Sequence, residues 1–159
     1  LNLLEISEWT RTLPAFISNR TLRIMKRPKL IWFDSGMAAH LQGFTQPDAL
    51  AAEREWGRLF ETYIINQIMP LCHLSTPKAD AFFWRMHSAE VDMVIQKGSF
   101  LFAIEIKSAA EARYDDTRSL QLFMDYHPDC RYGLLFYTGS QTIQLTKNIW
   151  AIPVAALWE

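Results

Sequence analysis

Two apolar stretches joined by a short turn dominate the hydrophobic pattern of the chain. Residues 89–96 and 100–107 each have the length and the apolar content of a β-strand, and Lys97-Gly98-Ser99 between them has the composition of a turn. The second stretch is apolar on both faces until Glu105 and Lys107 appear at its end. We therefore predict a hairpin whose second strand lies inside a sheet.

The remaining apolar segments predict an alternation of strands and helices. The longest helical pattern covers residues 53–71, with one apolar face and Pro70 near its end. An apolar strand, a helix and a second apolar strand at 100–107, 117–126 and 131–137 form a βαβ pattern, which predicts parallel neighbours. The sequence thus predicts an α/β fold with a mixed central sheet flanked by helices. Further strands are predicted at 10–16, 22–25, 29–34, 81–86, 142–145 and 149–152, short helices at 37–41 and 153–158, and a polar link at 44–52.

Composition narrows the class of protein. The chain has 159 residues, of which 50% are hydrophobic, so it is long enough for a substantial core. A net charge of −1 argues against an extensive basic surface for nucleic acid, although a local basic groove is still allowed. Cys72 and Cys130 lack the spacing of a metal site, and we interpret them as buried thiols in a reducing, cytoplasmic protein. No apolar run reaches the roughly 18 residues of a membrane span.

Three charged residues of the predicted hairpin are the main candidates for chemistry. Glu105 and Lys107 are two residues apart on one strand, so they point to the same face, and Asp92 can reach the same end of the sheet. A carboxylate at the end of a core strand needs a cationic partner or a metal ion, because isolated burial costs several kcal/mol. The alternative is a surface pair of Glu105 with Lys107, with Asp92 as an ordinary hairpin residue.

Asp92, Glu105 and Lys107 together form the pattern D-x12-E-I-K, which resembles the catalytic signature of the PD-(D/E)XK nuclease superfamily. The resemblance implies a restriction-endonuclease-like fold in which both carboxylates bind Mg²⁺ or Mn²⁺ and the lysine helps to position the attacking water. The tripeptide E-x-K alone is common in proteins. The acidic residue on the preceding strand and the apolar sequence before Glu105 make the full D-x12-E-I-K pattern more specific.

A second resemblance covers most of the chain between residues 29 and 137. Four blocks occur in order: KLIWFDSGMAAHL, GRLFETYIINQI, FFWRMHSAEVDMVI and FAIEIKS. They resemble an uncharacterised, nuclease-like C-terminal domain that follows the P-loop ATPase module in a large prokaryotic ATPase family. The resemblance implies an upstream ATPase module in the same polypeptide. This chain contains no G-x-x-x-x-G-K-[ST] motif and therefore no ATP site of that kind.

Glu61 is the fourth candidate site residue. It borders the apolar face of the 53–71 helix, and its position in the block GRLFE matches the helical glutamate that joins the metal site in many PD-(D/E)XK proteins. The alternative is a pair with Arg58 on the helix surface, which would contribute a few tenths of a kcal/mol. Arg85 likewise has two interpretations, a phosphate contact or a partner for Glu90 across the hairpin.

The first residues carry the highest density of basic side chains. We predict that residues 1–28 are a remnant of an upstream module or a lead-in hairpin and that residues 29–159 form the nuclease-like domain. The basic segment is either a phosphate-contacting arm or a solvated hairpin. Residues 1–30 place two acids, Glu5 and Glu8, against six bases: Arg11, Arg20, Arg23, Lys26, Arg27 and Lys29.

Two functions follow from these patterns. The first is a Mg²⁺-dependent phosphodiesterase that acts on DNA, with RNA as a less favoured substrate. Asp92 and Glu105 would hold the metal together with Glu61, and Lys107 would orient the water or stabilise the developing charge. The second is a non-catalytic interaction or regulatory module of an ATP-binding protein. The weakly acidic charge favours the module, whereas the complete carboxylate and lysine set favours the enzyme.

Overall fold

The computed structural model describes residues 2–17, 27–51, 53 and 55–158, and their main feature is a mixed sheet with helices on both faces. This arrangement confirms the predicted α/β class. Within the described residues the main sheet has six strands in the spatial order β3-β4-β5-β6-β8-β7. They are β3 (Asp80–Met86), β4 (Ala89–Lys97), β5 (Phe100–Lys107), β6 (Cys130–Tyr137), β7 (Ile143–Thr146) and β8 (Ile149–Pro153).

The direction of the strands changes in the middle of this sheet. Strands β3, β4 and β5 form an antiparallel meander. Strand β6 then pairs with β5 in parallel and also with β8 in parallel, and β7 closes the sheet as the antiparallel partner of β8. The predicted βαβ pattern is confirmed, because a helix connects β5 to its parallel neighbour β6. Strand β5, which carries Glu105 and Lys107, therefore lies between two paired strands, as its apolar sequence predicts.

The helices match the hydrophobic pattern with two differences. Residues 44–52, predicted as a link, contain a short helix that begins at a proline, a favourable first helical residue. The predicted terminal helix is a single 3₁₀ turn, Val154–Leu157, which is too short to sustain an α-helix. The predicted strand 22–25 lies outside the described residues. The helices within the described residues are α1 (Asn2–Ile6), α2 (Ser35–Leu41), α3 (Pro47–Ala51), α4 (Glu55–Leu74) and α5 (Arg118–Tyr126), with a second 3₁₀ turn at Tyr114–Thr117.

Two hydrophobic clusters hold the long helices against the sheet. Helix α4 buries Phe60, Ile64 and Ile68 in one cluster, which Ile104 and Ile106 of β5 also join. Helix α5 buries Leu120 and Phe123 in the other cluster, together with Leu101 and Ala103. Because β5 alternates between the two clusters, both of its faces are covered, and the charged end of the strand comes directly after a dry core.

Strands β1 (Thr10–Leu13) and β2 (Lys29–Trp32) form a separate antiparallel ribbon. The ribbon is attached to the main sheet through β3, because Phe83 donates its N–H to Pro14 O at 2.9 Å and Phe16 donates to Phe83 O at 2.6 Å. Leu13 of β1 and Ile31 of β2 are buried in the cluster beneath helix α4. The pairing of β1 with β2 crosses the proposed boundary at residue 28, and that boundary stays a prediction.

Among the described residues, no helix combines the length and the apolar character that crossing a bilayer requires.

His127 is expected to make the stability of the fold sensitive to mild acid. Its ring packs against Phe123 at 4.4 Å and Phe16 at 5.1 Å between centroids, and burial lowers the pKa of the imidazole despite the nearby Asp129. The unfolded chain therefore binds the proton more readily, so stability should fall as the pH drops through the ordinary histidine range near 6.5.

Melting curves at pH 7 and pH 5 check this expectation. His127→Phe should lose less stability between the two pH values than the wild type does. A variant that removes the exposed His40 should keep the acid loss, because His127 is intact. An equal loss in the wild type and His127→Phe would contradict the assignment.

Candidate active site

The charged end of strand β5 is the centre of the candidate site. The pairing of β4 with β5 ends at Met93 and Ile104, so Asp92 lies one residue beyond the last pair. Beyond this pair the Asp92 side chain continues the hydrogen bonding between the two strands, because its Oδ2 accepts a hydrogen bond from the N–H of Ile106 at 2.8 Å. This bond fixes the Asp92 side chain against the strand that carries Glu105. The structure thus brings together Asp92 and Glu105, as the hairpin prediction requires.

Glu105 is a buried carboxylate with a half-satisfied hydrogen-bonding capacity. The residue is 7% exposed, and its Oε1 accepts a hydrogen bond from Lys107 Nζ at 2.7 Å. Its other oxygen, Oε2, is buried and has no hydrogen-bond partner among the described residues. A buried acceptor without a partner costs about 1–3 kcal/mol, more for a charged group. Such a cost in a native fold points to a ligand or a function for that oxygen.

Glu61 reaches the same site from helix α4. Its Oε1 accepts a hydrogen bond from Lys29 Nζ, at the beginning of strand β2. The alternative prediction of a pair between Glu61 and Arg58 is wrong, because Arg58 contacts Glu55 at 3.4 Å instead. The two residues diverge because Glu61 faces the sheet, with 18% of its side chain exposed, whereas Arg58 faces solvent, with 75% exposed.

Lys29 and Glu90 complete the site, although the sequence pattern did not indicate either of them as a site residue. Lys29 Nζ donates to Glu90 Oε1 at 2.8 Å and lies 3.9 Å from Asp92 Oδ1. Glu90 Oε2 accepts from Arg85 Nε at 2.9 Å and Nη2 at 2.5 Å, so of the two predicted roles for Arg85 the cross-hairpin pair is observed. The sequence feature that could have indicated Lys29 is a charged residue at the beginning of the apolar strand KLIW. Its partners Glu61 and Glu90 lie 32 and 61 residues away, so no local sequence pattern connects them with Lys29.

The proximity of these charges changes their proton affinities. Burial and the neighbouring Glu105 and Glu61 carboxylates raise the pKa of Asp92 well above its ordinary value, against the opposing effects of Lys29 and the Ile106 N–H. Burial also raises the pKa of Glu105, although Lys107 opposes it. Glu90 differs, because its bonds to Lys29 and Arg85 outweigh burial and lower its pKa. The site therefore holds two carboxyl groups that ionise reluctantly without an added cation.

The same carboxylates raise the pKa of the two lysines, Lys29 and Lys107. Burial alone would lower the pKa of Lys29, but its bonds to Glu61 and Glu90 and the nearby Asp92 outweigh burial and raise it. Lys107 behaves in the same way, with Glu105 as its main partner and Asp92 and Asp116 at longer range. Both ammonium groups are thus fixed as cations by the carboxylates around them.

An open cavity of about 600 Å³ gives a ligand access to Lys29 and to the site carboxylates. Strands β2, β3, β4 and β5 and helix α4 all contribute to its wall. The carboxylates lie along this wall, and the exposed side chains of Arg58 and Arg85 lie at the same cavity. The charged lining residues are Lys29, Glu55, Arg58, Glu61, Arg85, Glu90, Asp92 and Glu105.

The carboxylates fit a divalent cation in chemistry but not in their present spacing. Carboxylate oxygens are the ligands that Mg²⁺ prefers, and Mg²⁺ binds them at roughly 2.0–2.1 Å in near-octahedral geometry. Over the ranges that the structure describes, no three His, Cys, Asp or Glu side chains are grouped so as to hold a metal ion. The Lys29 ammonium stands among Glu61, Glu90 and Asp92. A metal ion between Asp92, Glu105 and Glu61 would therefore require these side chains to move.

Comparison with known protein families identifies the family of this chain. No curated protein matches the chain. The family described as Domain of unknown function (DUF4143) matches residues 56–157, well over half of the chain. The matched region contains Glu61, Asp92, Glu105 and Lys107, whereas Lys29 precedes it. The chain therefore belongs to the DUF4143 family.

Proposed function

We propose that this chain is a Mg²⁺-dependent phosphodiesterase domain that cleaves DNA and is related to the PD-(D/E)XK nucleases. The observation that carries the proposal is the pair of buried carboxylates, Asp92 and Glu105, beside Lys107 at the open end of a core strand. Retaining these charges is costly, because apolar replacements of buried ion pairs are often neutral or stabilising. Glu105 Oε2, which has no hydrogen-bond partner within the described part of the chain, adds to that cost and supports a bound cation as its partner.

In this proposal the carboxylates bind the metal ion, and the basic residues contact the water or the substrate. Asp92 and Glu105 hold the ion, and Glu61 approaches from helix α4. A bound Mg²⁺ or Mn²⁺ supplies Lewis-acid polarisation of the scissile phosphate and a lowered pKa for a coordinated water. Lys107, kept cationic by Glu105, orients that water or stabilises the charge that develops on the phosphate. Arg58 and Arg85 at the cavity can contact the flanking phosphates.

The domain context of the chain is inferred from its resemblance to the C-terminal domain of prokaryotic ATPases. In this proposal an ATPase module lies upstream in the same polypeptide, and the nuclease domain acts in the cytoplasm. Two free cysteines, Cys72 and Cys130, are buried and fit a reducing compartment.

A second candidate function is a non-catalytic interaction module of an ATP-binding protein. One observation favours it specifically. Lys29, Lys107 and Arg85 already form ion pairs with Glu61, Glu105 and Glu90, so much of the carboxylate charge is neutralised within the chain. A domain of this kind would keep the cluster as a structural network and would need no metal ion.

Cleavage of a panel of nucleic acids separates the two functions. The purified chain is incubated with supercoiled plasmid, linear duplex DNA, single-stranded DNA and RNA in Mg²⁺, Mn²⁺ or EDTA. The proposal predicts nicking of plasmid DNA that EDTA abolishes. Glu105→Gln should reduce the rate by about 100-fold or more, which corresponds to roughly 2.7 kcal/mol of transition-state stabilisation. The exposed-site control Glu111→Gln changes the charge equally and should cleave normally.

The remaining outcomes also decide the question. Cleavage confined to RNA would keep the reaction and change the substrate. Equal cleavage by the wild type and Glu105→Gln would identify a contaminating nuclease. No cleavage of any substrate with either metal would favour the interaction module.

A further inference from the structure

Lys29 is not part of the D-x12-E-I-K pattern, yet its ammonium group lies among the carboxylates of the site. Its Nζ donates to both Glu61 Oε1 and Glu90 Oε1, the latter at 2.8 Å, and lies 3.9 Å from Asp92 Oδ1. Its side chain is 21% exposed, so the ammonium is largely removed from water. One cation thus faces three carboxylates from two elements: Glu61 on helix α4, and Glu90 and Asp92 on strand β4.

This is the geometry of an occupied cation position. The Nζ–oxygen distances of 2.8 and 3.9 Å exceed the roughly 2.0–2.1 Å of Mg²⁺–oxygen bonds. A divalent ion at this point would therefore require the carboxylates to move inward and the ammonium to leave. An ammonium and a divalent cation repel each other at short range, so both cannot sit among the same oxygens.

The backbone of Lys29 is fixed, but its side chain can withdraw. Asn66 of helix α4 donates its side-chain N–H to Trp32 O at 2.7 Å and Phe33 O at 3.0 Å, and Ile31 is 1% exposed. Strand β2 is therefore anchored by its pairing with β1, by the buried Ile31 and by the bonds from Asn66. The ammonium hangs on a flexible four-carbon stem beside an open cavity, so rotation of the stem alone would release the carboxylates.

We propose that Lys29 is a tethered cation that holds the metal position of the carboxylate cluster, so that a divalent ion binds only by displacing its ammonium group. The ribbon formed by β1 and β2 thereby sets the metal concentration at which the site fills. The inference deepens the proposed function and rests on the metal site in it, but it does not require that the site cleaves DNA.

Calorimetric titration with Mn²⁺ tests this inference. Lys29→Met removes the charge and keeps the apolar stem, and it should bind Mn²⁺ at least tenfold more tightly than the wild type. Lys29→Arg keeps a cation and should show no such gain. Lys147→Met, at an exposed turn, removes one positive charge elsewhere and controls for net charge. An unchanged or weaker affinity in Lys29→Met overturns the proposal.

A measurement on the wild type covers the case in which Lys29→Met does not fold. Reductive methylation with ¹³C-formaldehyde labels the lysines without removing their charge, and the signal of Lys29 is assigned by its loss in Lys29→Arg. Mg²⁺ should shift this signal strongly as the ammonium leaves the carboxylates, and an unshifted signal at saturating Mg²⁺ overturns the proposal. Tight binding by Lys29→Met without cleavage by either protein would support the tether and reject the hydrolase.

Discussion

The Asp92→Asn variant is expected to melt at a higher temperature than the metal-free wild type and to lose metal-dependent cleavage. Asparagine can still accept the Ile106 N–H bond that holds the side chain in place. It removes a negative charge that burial, Glu105 and Glu61 all disfavour. Relief of such a buried charge is worth about 1 kcal/mol or more, which corresponds to about 2–4 °C in a chain of this size. Cleavage should fall by about 100-fold or more, because a metal ligand is lost.

The pH dependence of this gain gives a further check. A raised pKa in the folded state means that the native protein holds the Asp92 proton more firmly than the unfolded chain does. The contribution of Asp92 is therefore most favourable in acid and is lost as the pH rises through its raised pKa. The melting-temperature difference between Asp92→Asn and the wild type should shrink between pH 7 and pH 5. Asp80→Asn, at the exposed beginning of β3, should give no comparable gain.

Lys107→Ala is expected to be unstable without metal, to recover with Mg²⁺, and to stay inactive in both conditions. Removal of the ammonium leaves Glu105 Oε1 without its 2.7 Å donor, beside an Oε2 to which no described residue donates. The loss should be about 1–2 kcal/mol, less than for a fully buried pair because 39% of the Lys107 side chain is exposed. A bound Mg²⁺ replaces the missing positive charge, whereas it cannot replace the amine that assists the reaction.

Melting curves with and without Mg²⁺, beside a cleavage assay, check this prediction. Lys107→Met, which retains the apolar stem, should show the same pattern and separates lost charge from lost packing. Lys147→Ala should show neither effect. Cleavage by Lys107→Ala at the wild-type rate would exclude this lysine from the reaction. Destabilisation that Mg²⁺ does not reverse would show that no cation takes the place of the ammonium.

Most of the fold could be predicted because its local signals agree with its long-range packing. Strand β5 is apolar on both faces because it is covered on both faces, and the Gly-Ser turn before it sets the hairpin. Helix α4 shows one apolar stripe because one face meets the sheet. The short helix Pro47–Ala51 has too few residues to display a period, so the proline-containing stretch 44–52 was predicted as a link.

Strand geometry predicts the part of the candidate site that Asp92, Glu105 and Lys107 form on the β4–β5 hairpin, whereas Glu61 was indicated by the family block GRLFE and Glu90 by neither. Asp92, Glu105 and Lys107 lie within 16 positions of each other, so strand geometry places them together. Lys29 joins them through the β1–β2 ribbon and the anchor of Asn66 on helix α4, contacts between segments more than 30 residues apart. Periodicity carries no information on such contacts. For that reason Asp92 and Glu105 were predicted as site residues, whereas Lys29 was not.

The most direct test of the metal site is a crystal structure of the wild-type chain grown with Mn²⁺, with anomalous scattering used to locate the ion. We expect an anomalous peak at roughly 2.0–2.6 Å from oxygens of both Asp92 and Glu105, the range of direct ligation for hard divalent cations. We also expect Lys29 Nζ to have left its contacts with Glu61 and Glu90. A map in which Lys29 keeps those contacts and neither Asp92 nor Glu105 carries a peak would contradict the account.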